Sequence, residues 1–274
     1  MSEGPLVSVV IPARDRRDVL PRALRSLQAQ RFGDWEAVVV DDGSTDGTAE
    51  AARAFADVRV RVVRHEAGRG PAAARNTGIR ATGGGLVAFL DSDDEWRPEK
   101  LQRQVEAFAS APPEVGVVYT GTLRHFGGKT YEIPAPSVGK KEGDVFAAVL
   151  RGTYLVPTPA AAVRREALER AGLFDESLPA LEEWDLWIRL ARFCRFAFVP
   201  EPLVVSHFTP GSLSSDRRLF RRAKGLILRK HLADFLERPG ALLCVLASMA
   251  RLTAGHALAR GRRGGTAGDQ GVKG

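Results

Sequence analysis

Sulfur is scarce in this chain, with two cysteines and two methionines among 274 residues. Cys194 and Cys244 cannot build a disulfide scaffold or a cysteine-rich zinc module, and such usage fits a reducing, cytoplasmic setting. Five histidines are too few for a histidine-rich metal centre. No run of about 20 uninterrupted apolar residues occurs, so no membrane span is expected. Leu6–Pro12 is too short for a secretory signal and has no basic flank before it. Glycine is absent from the stretch just after Ile11, where a dinucleotide fingerprint would need it. Gly128-Lys129-Thr130 is no phosphate loop either, since Leu123 stands where its first glycine belongs.

The rest of the composition is ordinary for a globular chain, 44% hydrophobic and 27% charged, which excludes whole-chain disorder. The formal charge of +7 is uneven. Residues 216–274 carry 13 Lys and Arg against 4 Asp and Glu, while residues 1–215 carry 27 against 29. A basic tail on a neutral body is not the footprint of a nucleic-acid binder, and no nucleic-acid partner is expected.

Buried β-branched runs alternate with helical patterns. Strands are expected at Leu6–Ile11, Ala37–Val40, Val58–Val63, Leu86–Leu90 and Val115–Tyr119. Helices are expected from Asp18 as N-cap, at Thr48–Phe55, Gly70–Ala81 and Pro98–Ala109. The second half predicts helices at Gly143–Arg151, at Arg164–Ala171 and from near Glu182. Short strands are expected there at Phe196–Pro200 and Leu203–Ser206, with an irregular segment or hairpin between Gly121 and Lys141. Such alternation implies right-handed βαβ units, a mostly parallel sheet flanked by helices, and a ligand at the carboxyl ends of the strands.

Acidic clusters fall at two of those ends. In Asp91-Ser92-Asp93 the residues i and i+2 face one side of an extended segment. Two such carboxylates call for a cation, and Mg²⁺ or Mn²⁺ takes oxygen ligands shared with phosphates. The plain alternative is a solvated turn, with Asp94 capping the next helix. Asp41 and Asp42 end the second strand, where nucleoside donors would meet them; a Gly43 turn is the competing account. Arg75 follows the Gly70-Pro71 helix start, a place for an anionic nucleotide. Glu182, Glu183 and Asp185 begin a helix beside Trp184, where a carboxylate can have a raised pKa and serve as base, although acids also favour any helix start. His207 is a lone histidine, a residue more often structural than a ligand.

Together these segments resemble the family 2 glycosyltransferases of GT-A fold, over roughly Val7 to Asp216. The resemblance rests on Val7–Arg16, Val38–Thr48, Gly70–Gly78, Phe89–Leu101 and Phe174–Arg192. It implies a GT-A-type, Rossmann-like fold and inverting transfer from a nucleotide diphosphate sugar, usually a UDP-sugar, to an acceptor hydroxyl. Pro12, Arg14, Asp41, Asp42, Arg75, Asp91 and Ser92 would bind the donor. Asp93, with His207, would hold Mn²⁺ or Mg²⁺. Glu183 would be the base, with Glu182 and Asp185 as rivals. Three departures stand out: Arg14 replaces an aromatic residue that stacks on the base, Glu183 replaces Asp, and Thr209 stands where a histidine is common. The alternatives are a non-catalytic nucleotide-sugar binding protein and, less favoured for want of a glycine-rich loop, a sugar nucleotidyltransferase.

The expected organisation is a transferase domain at 1–215, a basic amphipathic helical extension at 216–261 and a disordered tail at 262–274. The extension is expected to touch the inner face of a membrane, for a lipid-linked acceptor; a cell-envelope glycan and a natural product are the other acceptor classes. The competing account of the extension is a solvated basic helix followed by a core-packing one.

Overall fold

The computed structural model describes residues 4–134, 139–152, 156–207 and 216–263, the last stretch by backbone alone beyond residue 252. Residues 264–274 of the expected tail and Thr209 lie outside the described residues, while Arg262 and Arg263, expected in that tail, end a helix. β1 (Val7–Ala13), β2 (Trp35–Asp41), β3 (Val60–Arg64) and β4 (Leu86–Phe89) pair in parallel in the order β3-β2-β1-β4. The sheet continues through β8 (Ala161–Arg164), β6 (Val115–Phe126), β9 (Arg195–His207) and β5 (Glu95–Trp96), with β7 (Lys129–Ile133) hairpinned onto β6. β8 is antiparallel to both β4 and β6, so β6 runs with β4, and β9 is parallel to β6. The carboxyl ends of β1, β2, β4, β6 and β9 therefore share one rim.

The alternation of each strand sorts its side chains into two apolar layers. Val10, Val38, Val40, Val87 and Phe89 pack on one face with α3 (Pro71–Arg80), α5 (Phe146–Arg151), α6 (Arg165–Ala171) and α7 (Glu182–Ala191). Val9, Ile11, Val39, Ala88 and Leu90 pack on the other with α1 (Leu20–Gln28), α2 (Thr48–Arg53) and α4 (Lys100–Ser110). α8 (Arg217–Lys230), α9 (Leu232–Glu237) and α10 (Pro239–Arg263) complete the chain. Their Ala223, Ile227, Phe235, Ala241 and Val245 join the first layer, so the apolar side of the basic extension is part of the main core. Among the described residues no helix is long and apolar enough to cross a membrane.

Several expectations are refined. Asp18 caps nothing: the N-cap of α1 is Val19, with no side-chain cap. The expected pair of short strands is one strand, because its prolines fall at irregularities in the β6–β9 register that relieve the ladder of the missing donors. The Gly121–Lys141 segment contains a hairpin, turned by Gly127 and Gly128 at positive φ. β5 and the alanine-rich β8 are too short and bland to show any period.

Candidate active site

The first half of the rim forms a polar shelf. Asp41 ends β2 fully buried, and its Oδ1 accepts from Ser44 N at 3.0 Å. Its Oδ2 faces Arg64 Nε at 3.3 Å and has no hydrogen bond among the described residues. That leaves a buried acceptor available to a ligand N–H. The two loops of the shelf are laced together: Asp15 N donates to Ser44 Oγ, and Thr45 N donates to Asp15 Oδ1. Arg14 is exposed, and its guanidinium lies against the neighbouring loop, where a Cβ on Gly68 would come within 2.1 Å of Nη1. Gly43, at φ +74°, must also be glycine, since a Cβ there would meet Gly68 N at 2.7 Å. Pro12 is half-buried opposite Val40 on the same edge.

Asp42 sits beside this shelf but faces inward. Its Oδ1 takes Arg69 N and its Oδ2 takes Gly70 N, both at 2.8 Å, while His65 Nδ1 lies 2.8 Å from Oδ1. Both oxygens are committed to the loop that starts α3, so Asp42 shapes the shelf rather than presenting acceptors to a ligand. The same bonds occupy two amides at that helix start that were expected to meet an anion.

Arg75 joins the two acidic clusters. It is buried on α3; Nη1 donates to Glu182 Oε1 at 2.6 Å and Nη2 to Asp91 Oδ1 at 2.9 Å. Burial works against its charge, but the two carboxylates outweigh that and hold its pKa above the usual value. Asp93 is half-buried, and its backbone carbonyl accepts from Arg22 Nη2. Ser92 is buried between the two acids. Asp94 does not cap α4, whose N-cap is Glu99. Instead its Oδ1 accepts from His207 N at 3.2 Å. Burial and then the charges of Asp91 and Asp93 push the Asp94 carboxyl well above its usual range.

The three acids of α7 meet different partners: at about 100° per residue Glu183 lies about 100° from Glu182 and about 200° from Asp185 around the helix. Glu182 belongs to Arg75. Asp185 is fully buried on the far side, against Arg189, Lys230 and His231, and is removed from the list of bases. Glu183 is half-buried and, among the described residues, makes no side-chain hydrogen bond or ion pair to another residue. Burial first, then the charge of Glu182, raise its pKa to about 8 against the pull of Arg75. The helix begins abruptly: Leu181, its N-cap, has a left-handed backbone at φ +60°. For a leucine this costs about 1–2 kcal/mol and persists because packing dictates it.

The donor set suits a hard divalent cation. Residues 91–94 form a turn, closed by Asp94 N donating to Asp91 O at 3.0 Å, rather than the expected extended segment. Asp91, Asp93, Asp94, Glu182 and Glu183 bring five carboxylates close together, and Arg75 is bonded to two of them. Among the described residues no three His, Cys, Asp or Glu side chains converge as a metal site. The chain would thus fill part of a coordination sphere and leave the remainder to ligand phosphates. His207 does not extend the set: its Nε2 lies 2.8 Å from Glu95 Oε1, and its ring lies against that of His125. The metal role expected of it is not carried forward. Sequence patterning missed Arg64, His65, Arg22 and Glu95, all of which orient site residues. Arg64 and His65 follow β3 just past its expected end, the one signal that could have drawn notice.

Comparison with known proteins points the same way. The Glycosyl transferase family 2 model matches residues 8–172. An uncharacterized glycosyltransferase of Nostoc is 30% identical over 85% of this chain and 76% of its own length. The Escherichia coli UDP-Glc:alpha-D-GlcNAc-diphosphoundecaprenol beta-1,3-glucosyltransferase WfgD is 36% identical over 36% of this chain and 40% of its own. The chain thus spans about two fifths of some curated relatives it matches. The mannosyltransferase PcManGT of Pyrobaculum calidifontis, solved with GDP-Man and Mn²⁺, shares the fold with a TM-score of 0.64 and 24% identity, over 96% of this chain and 81% of that one.

Proposed function

Since the chain belongs to glycosyl transferase family 2, we propose that it transfers a sugar, with inversion, from a nucleotide diphosphate sugar to an acceptor hydroxyl. The observation that carries this is Arg75, whose one guanidinium binds both Asp91 and Glu182. It ties the acids suited to the diphosphate to the turn bearing Glu183, the acid suited to the acceptor.

The donor base lies on the shelf, where Oδ2 of Asp41, which faces Arg64 but accepts no hydrogen bond among the described residues, accepts a ring N–H, which uracil supplies at N3. Arg14 offers its guanidinium plane for stacking in place of an aromatic ring. Asp91 and Asp93 would hold Mg²⁺ or Mn²⁺, which when bound offsets charge on the departing diphosphate. Glu183 takes the acceptor proton as the hydroxyl oxygen bonds to the anomeric carbon. The bond from that carbon to the phosphate oxygen breaks on the opposite face, and the nucleoside diphosphate leaves. A base near pH 8 is matched to a hydroxyl proton at neutral pH better than an ordinary carboxylate, and such a base contributes about 10²–10⁴-fold.

The acceptor is lipid-linked in this proposal. The name of WfgD specifies a diphosphoundecaprenol acceptor. In this chain the solvent side of α8 carries Arg217, Arg221, Arg222 and Arg229, and that of α10 exposes Leu243 and Leu246, a composition suited to an anionic bilayer surface. The decisive test is release of UDP from UDP-sugars with Mn²⁺ and lipid-diphosphate-linked acceptors. Glu183→Gln should keep UDP binding and lose transfer. Near-normal transfer by that variant overturns the assignment of the base.

A further inference from the structure

A buried polar clasp wires the C-terminal helices into the first turn of α7. Asp185 Oδ1 accepts from His231 Nε2 at 2.8 Å and lies 2.9 Å from Lys230 Nζ, while Oδ2 accepts from Arg189 Nε at 2.9 Å. Asp185 and His231 are both almost inaccessible to solvent. The His231 ring is itself fixed, because Arg192 Nη2 donates to its Nδ1 at 2.8 Å. A guanidinium only donates, so the ring proton sits on Nε2 and points at Asp185. Burial raises the Asp185 pKa, but the His231 hydrogen bond and the charges of Arg189 and Lys230 hold it well below the usual range.

The clasp extends to the donor side. Lys230 Nζ also donates to Asp175 Oδ2 at 2.5 Å, and Arg189 donates to the carbonyls of Ala171 and Leu173. This loop closes on α3 through a reciprocal pair: Phe174 N donates to Asn76 Oδ1 at 3.0 Å, and Asn76 Nδ2 donates to Phe174 O at 2.9 Å. Asn76 adjoins Arg75. The turn bearing Glu183 starts from the left-handed Leu181 and has no side-chain cap of its own. Its orientation therefore depends on what grips it from behind, and Asp185 lies two residues after Glu183.

We propose that His231 and Asp185 are positioning residues for the sugar transfer: gripped by the C-terminal helices, Asp185 sets the angle at which Glu183 meets the acceptor hydroxyl. The inference rests on the transferase reading above. It makes the C-terminal extension a working part of the active site, and it gives a buried histidine outside the matched family segment a defined task. A misplacement of the base by about 1 Å costs up to about 10²-fold in rate, with little effect on donor affinity.

The test compares full-length wild type with His231→Ala and His231→Gln, the latter able to donate to Asp185 and accept from Arg192. The readouts are kcat and UDP affinity, together with hydrogen exchange of the peptide spanning residues 181–187. The expected result for His231→Ala is a loss in kcat of about tenfold or more, UDP affinity within about threefold of wild type, and faster exchange in that peptide. His231→Gln should recover most of the loss. Should His231→Ala fail to fold, Arg192→Ala replaces it, because that side chain is 43% exposed yet fixes the His231 tautomer. Unchanged kcat and exchange in the folded variant, or a loss confined to UDP affinity, overturns the proposal. If wild type transfers no sugar from any donor, the transferase reading fails, while the exchange result still decides whether the clasp holds the turn.

Discussion

Glu183 should make the protein less stable as pH rises, and the size of that effect follows from its surroundings. Its carboxyl sits at about 8, against 4.5 for an ordinary glutamate. Between those values the folded state holds a proton that the unfolded state has released. Stability therefore declines through that window and levels off above it. Glu183→Gln keeps the shape and removes the titration. Linkage then gives the variant an advantage of about 1 kcal/mol at pH 5 and about 4–5 kcal/mol at pH 8.5, an upper bound because Glu182 and Arg75 share the charge. Urea unfolding of the two proteins at pH 5 and pH 8.5 measures it without knowledge of any substrate. A second arm is catalytic: kcat/KM should rise with pH through about 8 as the base ionises, and bound cation should move that rise to lower pH. A stability difference that stays flat from pH 5 to pH 8.5 refutes the reasoning, since a carboxyl in its ordinary range would titrate below that interval.

Three further outcomes are expected. Asp93→Ala should abolish the enhancement of UDP binding by Mn²⁺ in calorimetry while leaving the fold intact, because among the described residues it is the Asp93 backbone carbonyl, not its carboxylate, that is bonded. Asp41→Asn turns a carboxylate that faces Arg64 into a mixed donor and acceptor, and UDP affinity should fall by about 1–3 kcal/mol, or roughly 5- to 150-fold, read by the same titration. Lys100→Met should stabilise the protein at pH 7. Lys100 is fully buried against the Trp96 ring with no hydrogen bond on Nζ among the described residues, and burial holds its amine well below the usual range. Because the unfolded lysine binds a proton that the folded one has given up, the gain should shrink as pH approaches 10.

The donor half was legible because its central strands β1, β2 and β4 are buried on both faces and its acids fall at strand ends. Long apolar runs such as Val38–Val40 announce themselves without any alignment, and parallel topology then dictates which loops share a rim. The second half carried weaker signals. β8 is four residues, three of them alanine or valine, and the prolines of β9 broke its pattern into two apparent strands. Periodicity cannot recover a strand whose irregularity lies in its neighbour's register.

The site was legible in its residue types but not in their partners. Asp41 and Asp42 are adjacent and chemically identical, yet Asp41 keeps a buried acceptor while Asp42 is fully engaged by His65 and two loop amides. Nothing local distinguishes them, since the alternation of a strand end sends one to the shelf and the other into the loop behind it. The α7 acids repeat the lesson at a helical period. Glu182, Glu183 and Asp185 serve three different partners: an arginine from α3, the open site, and a histidine from the C-terminal helices. Contacts across separations of 107 and 46 residues decide which acid is left to do chemistry. The base is thus defined by subtraction. It is the carboxylate that no other described residue has claimed, and its raised pKa follows from its burial first and then from the charge of Glu182 beside it.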